Sequence, residues 1–345
     1  MTELLHTARL LSEEDLQLVH ALQLGPRLPW SVLGEVLGVH ATSLAARWRH
    51  LNQEGLSWTT AHPVGHPDQM ALSFHDVQCL PGQRREVAEA ISAIPDVFTI
   101  EECHRDRDLM LTVIAPSPAA LTASVYPQLD RIPGLVRYET AFCTRLHGSG
   151  GDWHLDALSP EQQAALHAAA GPPPENFARY VAAPPSYGPI VRALGRDART
   201  TAAQIAEQTG LHPATARRRL QKVLANRSLS FRCEVSHRAA GYPVVCQWFA
   251  RLPAADHDAA ATALSSLGAL RLCASTTGRT NFTFMMWLRS AADIMTVEQA
   301  ASRKLSHLEI HESVIIANIP KRVGWRLDPE GVRTGEFVPP GSAWD

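Results

Sequence analysis

Apolar residues recur at helical spacing in two stretches of the chain and alternate in the stretches that follow each of them. Behind Ser12-Glu13-Glu14-Asp15, an N-cap with acidic residues that complement the helix dipole, Leu16, Val19, Leu22 and Leu24 trace one face of a helix. Leu33, Val36 and Leu37 place a second helix over 30–37. Gly38-Val39 makes a turn, and Leu44, Trp48 and Leu51 place a third helix over 41–54, stopped by Gly55. The pattern returns at 190–194, 202–209 and 213–225, with Gly210-Leu211 at the turn.

Downstream of each trio the period changes. Leu72, Phe74 and Val77 suggest a strand over 71–79, and Val87, Ile91 and Ile94 a helix over 84–94. Strands follow at 97–103 and 109–115, a helix starts at Ser117-Pro118, and the last strand covers 135–146. The second set reads strand 244–251, helix 255–267, strands 270–276 and 281–288, helix 291–305 and strand 308–319. Strand, helix, strand, strand, helix, strand is the split βαβ, ferredoxin-like order, with helices on one face and the other left to a partner domain or ligand.

The two sets are a duplication. A shift of 172 residues superimposes Val19, Ala21, Leu22, Arg27, Glu35, Gly38, His40 and Arg47 on Val191, Ala193, Leu194, Arg199, Glu207, Gly210, His212 and Arg219. Leu80-Pro81 likewise meets Leu252-Pro253, and Trp153 meets Trp325. The fold class expected is α+β, two tandem units, each a helix-turn-helix (winged-helix-like) domain followed by a ferredoxin-like regulatory domain. Boundaries fall at 12–60 and 68–147 for the first unit and at 187–232 and 242–320 for the second. Residues 148–186 read as a linker with a short helix capped by Ser159 and a proline-rich stretch, and 321–345 as a C-terminal tail.

Charge separates the two units. The chain carries 32 basic and 34 acidic residues, a net charge of −2, which alone predicts no polyanionic partner. Yet between Gln208 and Cys233 lie Arg217, Arg218, Arg219, Lys222, Arg227 and Arg232 with no acidic residue. A solvated helix face would mix both signs; a basic stretch on the second helix of a helix-turn-helix suits the DNA major groove. Ala216, Leu220, Val223 and Leu224 form the inward stripe. Thr215, Arg217, Arg218 and Gln221 face out to read bases, with Arg219 and Lys222 on phosphate. The first unit has Ala45 and Ala46 where the second has Arg217 and Arg218, leaving Thr42, Ser43, Arg47 and Arg49.

A helix-turn-helix followed by a ferredoxin-like module resembles the Lrp/AsnC (leucine-responsive, feast/famine) transcription regulators. The resemblance rests on Gly210-Leu211-His212-Pro213-Ala214-Thr215-Ala216-Arg217-Arg218-Arg219-Leu220 and on Thr277-Gly278-Arg279-Thr280-Asn281-Phe282 between the middle strands. It implies a regulator of double-stranded DNA whose paired regulatory modules bind an amino acid or similar small metabolite. The site it implies is the turn of Thr277, Gly278, Arg279 and Asn281, where a glycine with φ > 0 lets backbone N–H groups approach a carboxylate. The first unit has Arg105-Asp106-Arg107-Asp108 there, without the glycine. The fused pair is expected as an internal pseudo-dimer or homo-oligomer preferring an asymmetric DNA site.

The rival reading is an enzyme similar to the sirohaem decarboxylases, which share the module order; His104 with Arg105 is the only fragment of such a site. His62 and His66 are separated by proline and glycine, which forbid a helical ligand pair, and no metal is expected. Glu101 and Glu102 are adjacent on a strand and face opposite sides. No GxSxG, Walker or dinucleotide motif occurs, so no cofactor is expected. Cysteines at 79, 103, 143, 233, 246 and 273 form no CxxC pair, and neither a signal-peptide pattern nor a membrane-length apolar run is present. A reduced, cytoplasmic, non-membrane protein is the expectation.

Overall fold

The computed structural model describes residues 10–63, 70–171, 185–225 and 229–339. His66 and most of the proline-rich stretch lie outside them. The first unit opens with α1 (Glu13–Leu24), α2 (Trp30–Leu37) and α3 (Ala41–Gln53), then β1 (Ser57–Pro63). Ser12 and Asp15 form a reciprocal capping box on α1, as the sequence suggested. The second unit repeats this as α8 (Gly188–Arg196), α9 (Ala202–Thr209), α10 (Pro213–Ala225) and β6 (Leu229–Val235). Gly38 (φ 68°) and Gly210 (φ 67°) end α2 and α9 in the same left-handed conformation, which a Cβ would oppose.

The two helical trios are joined back to back. β1 and β6 form an antiparallel ribbon from Ser57↔Val235 to Pro63↔Leu229. The duplicated arginines then reach across. Arg199 donates to the carbonyls of Pro26 (2.8 Å) and Leu28 (2.9 Å), with its guanidinium 3.9 Å from the centre of the Trp30 ring. Arg27 reciprocates by donating to the Ala198 carbonyl. Charge-assisted bonds to otherwise orphaned carbonyls contribute about 1.5–3 kcal/mol each.

The ferredoxin-like modules follow the expected order. The first contains β2 (Ala71–Cys79), α4 (Arg84–Ser92), β3 (Val97–Glu102), β4 (Leu109–Ala115), α5 (Pro118–Ala120), α6 (Tyr126–Leu129) and β5 (Leu135–Gly148). A π turn at Leu121–Val125 joins α5 to α6, just before Pro127, which has no N–H to donate. The second contains β7 (Val244–Arg251), α11 (His257–Ser265), β8 (Leu270–Thr276), β9 (Phe282–Leu288), α12 (Ala292–Lys304) and β10 (Glu309–Ile316). Strand alternation sorts the faces: Leu109, Leu111 and Val113 pack under α4 with Val87 and Ile91, while Met110, Thr112 and Ile114 face the other way.

The modules exchange their last strands. β5 pairs with β2 over its first half and with β8 of the other unit from Cys143 to Gly148. β10 pairs with β7, and after Ala317 the chain continues as β11 (Asn318–Arg322) against β3 of the first unit. The Ala317 N–H itself donates to the Glu102 carbonyl at 2.8 Å. The sheet therefore opens on β10 and comes back to its near-continuation β11 beside β3, and the helix-free faces turn inward around a common interior.

Two expected segments are reassigned. Most of 321–345 is not a tail: after β11, β12 (Trp325–Leu327) and β13 (Arg333–Phe337) extend the sheet, burying Trp325 against Phe337. Nor is the described part of 148–186 a mere linker. α7 (Pro160–Ala170) buries Leu166 beside α1 and α2, and Gln23 and His20 of α1 accept the Leu155 and Ala157 N–H groups.

Lys321 pins the exchange. Its Nζ is fully buried and donates to the carbonyls of Ser92 and Ile94, both at 2.9 Å, at the end of α4. Burial, with Arg326 nearby, pushes its pKa down to about 7. A neutral amine still has two N–H groups for those two carbonyls. Because the folded pKa lies below that of the unfolded chain, this group's contribution to stability is full above the unfolded lysine pKa and is lost as pH falls toward 7. We expect the urea midpoint of the wild type to rise relative to Lys321→Met between pH 7.5 and 9.5. Parallel midpoints across that interval would refute it.

Candidate functional site

Two features are candidates: the outer surface of α10 and the interior enclosed by the strand exchange. On α10, Ala216, Leu220 and Val223 are buried and Leu224 half-buried, as the periodicity required. Arg217, Arg218, Gln221 and Lys222 are exposed and Thr215 is half-buried. Among the described residues Arg217 and Arg218 form no ion pair, so their guanidinium groups face solvent.

Arg219 is different. It donates to the Ser186 carbonyl at 2.9 Å and lies over the Tyr187 ring. Its counterpart at the 172-residue spacing, Arg47, is bound to Asp15 at 2.9 Å. Arg219 was expected on phosphate and Arg47 among the DNA-contacting residues; instead each ties a third helix to the start of its own domain, because these positions border the buried stripe. Of the four candidates on α3, Thr42, Ser43 and Arg49 are exposed and Arg47 is half-buried.

The turn expected to bind an effector is also occupied by the protein. Thr277 donates its N–H to the Phe142 carbonyl and accepts the Phe142 N–H on its hydroxyl, both at 2.9 Å. The Asn281 side chain donates to the Leu252 carbonyl (2.9 Å) and accepts the Leu252 N–H (3.1 Å). Gly278 (φ 114°) shapes the turn and Arg279 is exposed. These groups brace the β5–β8 and β7 junctions, and none of them lines the interior cavity.

That cavity, of about 730 Å³, is bounded by the β1–β6 ribbon, the end of α1, the loop after β5 and the inward faces of the strands. Such a volume lies in the range of small-molecule sites. Its charged wall is a buried cluster. Glu234 is 1% exposed and faces Arg232 at 2.9 Å and Arg271 at 3.2 Å. Burial opposes ionisation of Glu234, but Arg232, Arg271 and Arg322 together hold its pKa below the usual range. Glu101, half-countered by Arg322, is pushed up by burial to about 7. The guanidinium groups of Arg271 and Arg322 lie 4.0 Å and 5.0 Å from the centre of the Trp287 ring. Gly150 matters here: its carbonyl accepts from Arg271, and a Cβ would stand 2.2 Å from an Arg232 nitrogen.

Histidines complete the lining. Burial lowers His62 to about 3 and His154 to about 4, so both are neutral near pH 7. His147 contacts Ser275 Oγ (2.7 Å) and Asp258 (3.2 Å), a spacing suggestive of a nucleophile, base and acid. Ser275 also bonds His257 at 2.6 Å, is buried, and does not line this cavity. The rival enzyme fragment is dispersed too: His104 is exposed beside Arg84, and Arg105 pairs with Glu312. As expected, Glu101 and Glu102 diverge, Glu101 toward the cavity and Glu102 toward Asn318.

Sequence reasoning missed Arg271, Arg322 and Glu234, and read Arg232 as part of a nucleic-acid surface. The available signal was a charge inside an apolar strand, Leu270-Arg271-Leu272, which on a two-faced sheet marks a polar interior.

Residues 189–223 match the AsnC-type helix-turn-helix domain. No curated protein matches the chain. Among solved structures, the siroheme decarboxylase NirDL is 15% identical with a TM-score of 0.52, covering 90% of this chain and 93% of that one. The same enzyme in co-complex with an iron-uroporphyrin III analogue gives 0.50 at equal identity and coverage. AsnC of E. coli is 17% identical with a TM-score of 0.33 and covers 39% of this chain and 93% of its own. The NirDL likeness concerns fold alone and extends over both units. Among the described residues no helix is long and apolar enough to cross a membrane.

The ion cluster generates a test. Glu234→Gln leaves three arginines against one half-protonated carboxylate and should cost about 3–5 kcal/mol of unfolding free energy in urea. A loss below about 1 kcal/mol would mean the cluster is shielded by solvent rather than by Glu234.

Proposed function

We propose that the chain is a DNA-binding transcription regulator that reads its site through α10. The observation carrying this reading is the outward, internally unpartnered set of Arg217 and Arg218, with Gln221 and Lys222, on the second helix of the AsnC-type segment. Arg217 and Arg218 offer paired donors to guanine O6 and N7, Gln221 suits adenine, and Lys222 suits phosphate. The first unit contributes Thr42, Ser43 and Arg49, a polar surface suited to backbone contact. A pseudo-dimer with one reading helix and one positioning helix favours an asymmetric operator. Small-molecule control, by an amino acid or related metabolite, belongs to the same reading.

A second reading, a decarboxylase acting on a tetrapyrrole, is favoured by the cavity together with the fold likeness to NirDL over the whole chain. The exposed position of His104 and the Arg105–Glu312 pair speak against it. Anaerobic incubation with sirohaem, followed by mass spectrometry for loss of carbon dioxide, separates the two.

The leading reading is tested on operators selected from genomic DNA. Arg218→Ala should weaken binding by about 5- to 150-fold and relax preference at one base pair, the equivalent of about 1–3 kcal/mol. Lys222→Ala should weaken all sequences alike and flatten the salt dependence. Arg47→Ala should leave base preference unchanged. Unaltered affinity of Arg218→Ala by fluorescence anisotropy would overturn the assignment of α10.

A further inference from the structure

The cavity wall has more buried positive charge than its own carboxylates neutralise. Arg232, Arg271 and Arg322 are each at least nine-tenths buried and face Glu234 and Glu101. Arg27 and Asp152 also reach the wall, but Arg27 is bound to the Ala198 carbonyl, and Asp152 accepts from the Ser149 N–H and hydroxyl. Within the cluster Arg322 Nη1 is buried without a hydrogen-bond partner, and so is His62 Nδ1 on the ribbon above. Buried guanidinium groups without a counterpart are costly, and a carboxylate matches their geometry in a two-point contact.

Beside the neutral His62 and His154, a broad part of the wall is apolar. Leu72, Phe74, Phe98 and Ile114 of the first module line the cavity together with Phe231 and Trp287. An inorganic anion would satisfy the arginines and leave this surface uncovered, while a volume of about 730 Å³ exceeds the needs of a single amino acid. We propose that the cavity binds a bulky organic carboxylate, with its charged end on Arg322 and Arg271 and its apolar body between Trp287 and the phenylalanines. This places small-molecule binding in the interior, away from the turn of Thr277 and Gly278. It stands independently of DNA recognition by α10, so its test uses no DNA.

The probe is 1-pyrenebutyrate, read by energy transfer from tryptophan in the full chain, against 1-pyrenebutanol, which has the same apolar body without the charge. Wild type should bind the acid at least 10-fold more tightly than the alcohol. Arg322→Gln should erase that preference while keeping affinity for the alcohol, and Arg279→Ala on the exposed turn should bind as wild type. Equal wild-type affinity for acid and alcohol would overturn the proposal without recourse to a variant, as would binding of neither. An acid preference that survives in Arg322→Gln, or one lost in Arg279→Ala, would also overturn it.

Discussion

Everything inside this protein depends on the reciprocal exchange of final strands. β5 leaves its own module to pair with β8, and the chain after β10 leaves its own to pair with β3. Neither ferredoxin-like sheet could keep its helix-free face in water without exposing a broad apolar surface. Exchange lets each cover the other. The backbone pairing is antiparallel on both sides of the junction, so no strand edge is open between the modules. Lys321, tied to two carbonyls at the end of α4, fixes one crossing; the side chain and backbone of Thr277 fix the other on Phe142.

The same pseudo-two-fold organises the helical domains. Arg27 and Arg199, 172 residues apart, clasp opposite units, while in the ribbon β1 packs against α8 and α3 and β6 against α1. His62 and Arg232 lie on that ribbon and Arg271 and Arg322 on the strands below, so the cavity is lined by the ribbon and by strands of both ferredoxin-like modules.

Local signals made much of this legible. The bounds of α2, α9 and α10 follow from apolar spacing and glycine turns, and the capping boxes from Ser12 and Ser159. What stayed hidden is non-local. Pairing of β11 with β3 joins residues more than 200 positions apart, and no periodicity within 318–337 distinguishes an exchanged strand from a tail. Arginine positions were misread for a related reason. Arg219 lies on the border of a buried stripe and Arg232 on an inward strand face, and sequence registers their charge but not the partner each meets. The effector turn was located by its glycine, whereas its polar atoms were already taken by backbone across the junction.

The two halves of the chain bring different residues to the cavity. Arg232, Glu234, Arg271, Trp287 and Arg322 all come from the second unit, whereas Leu72, Phe74, Phe98 and Glu101 come from the first. Two identical subunits would have to build every wall twice, so that any residue improving one chamber would be imposed on its mirror image. A single polypeptide escapes that obligation. The buried arginines of the cluster come from the later half and Leu72, Phe74, Phe98 and Ile114 from the earlier one, so the chamber is lopsided.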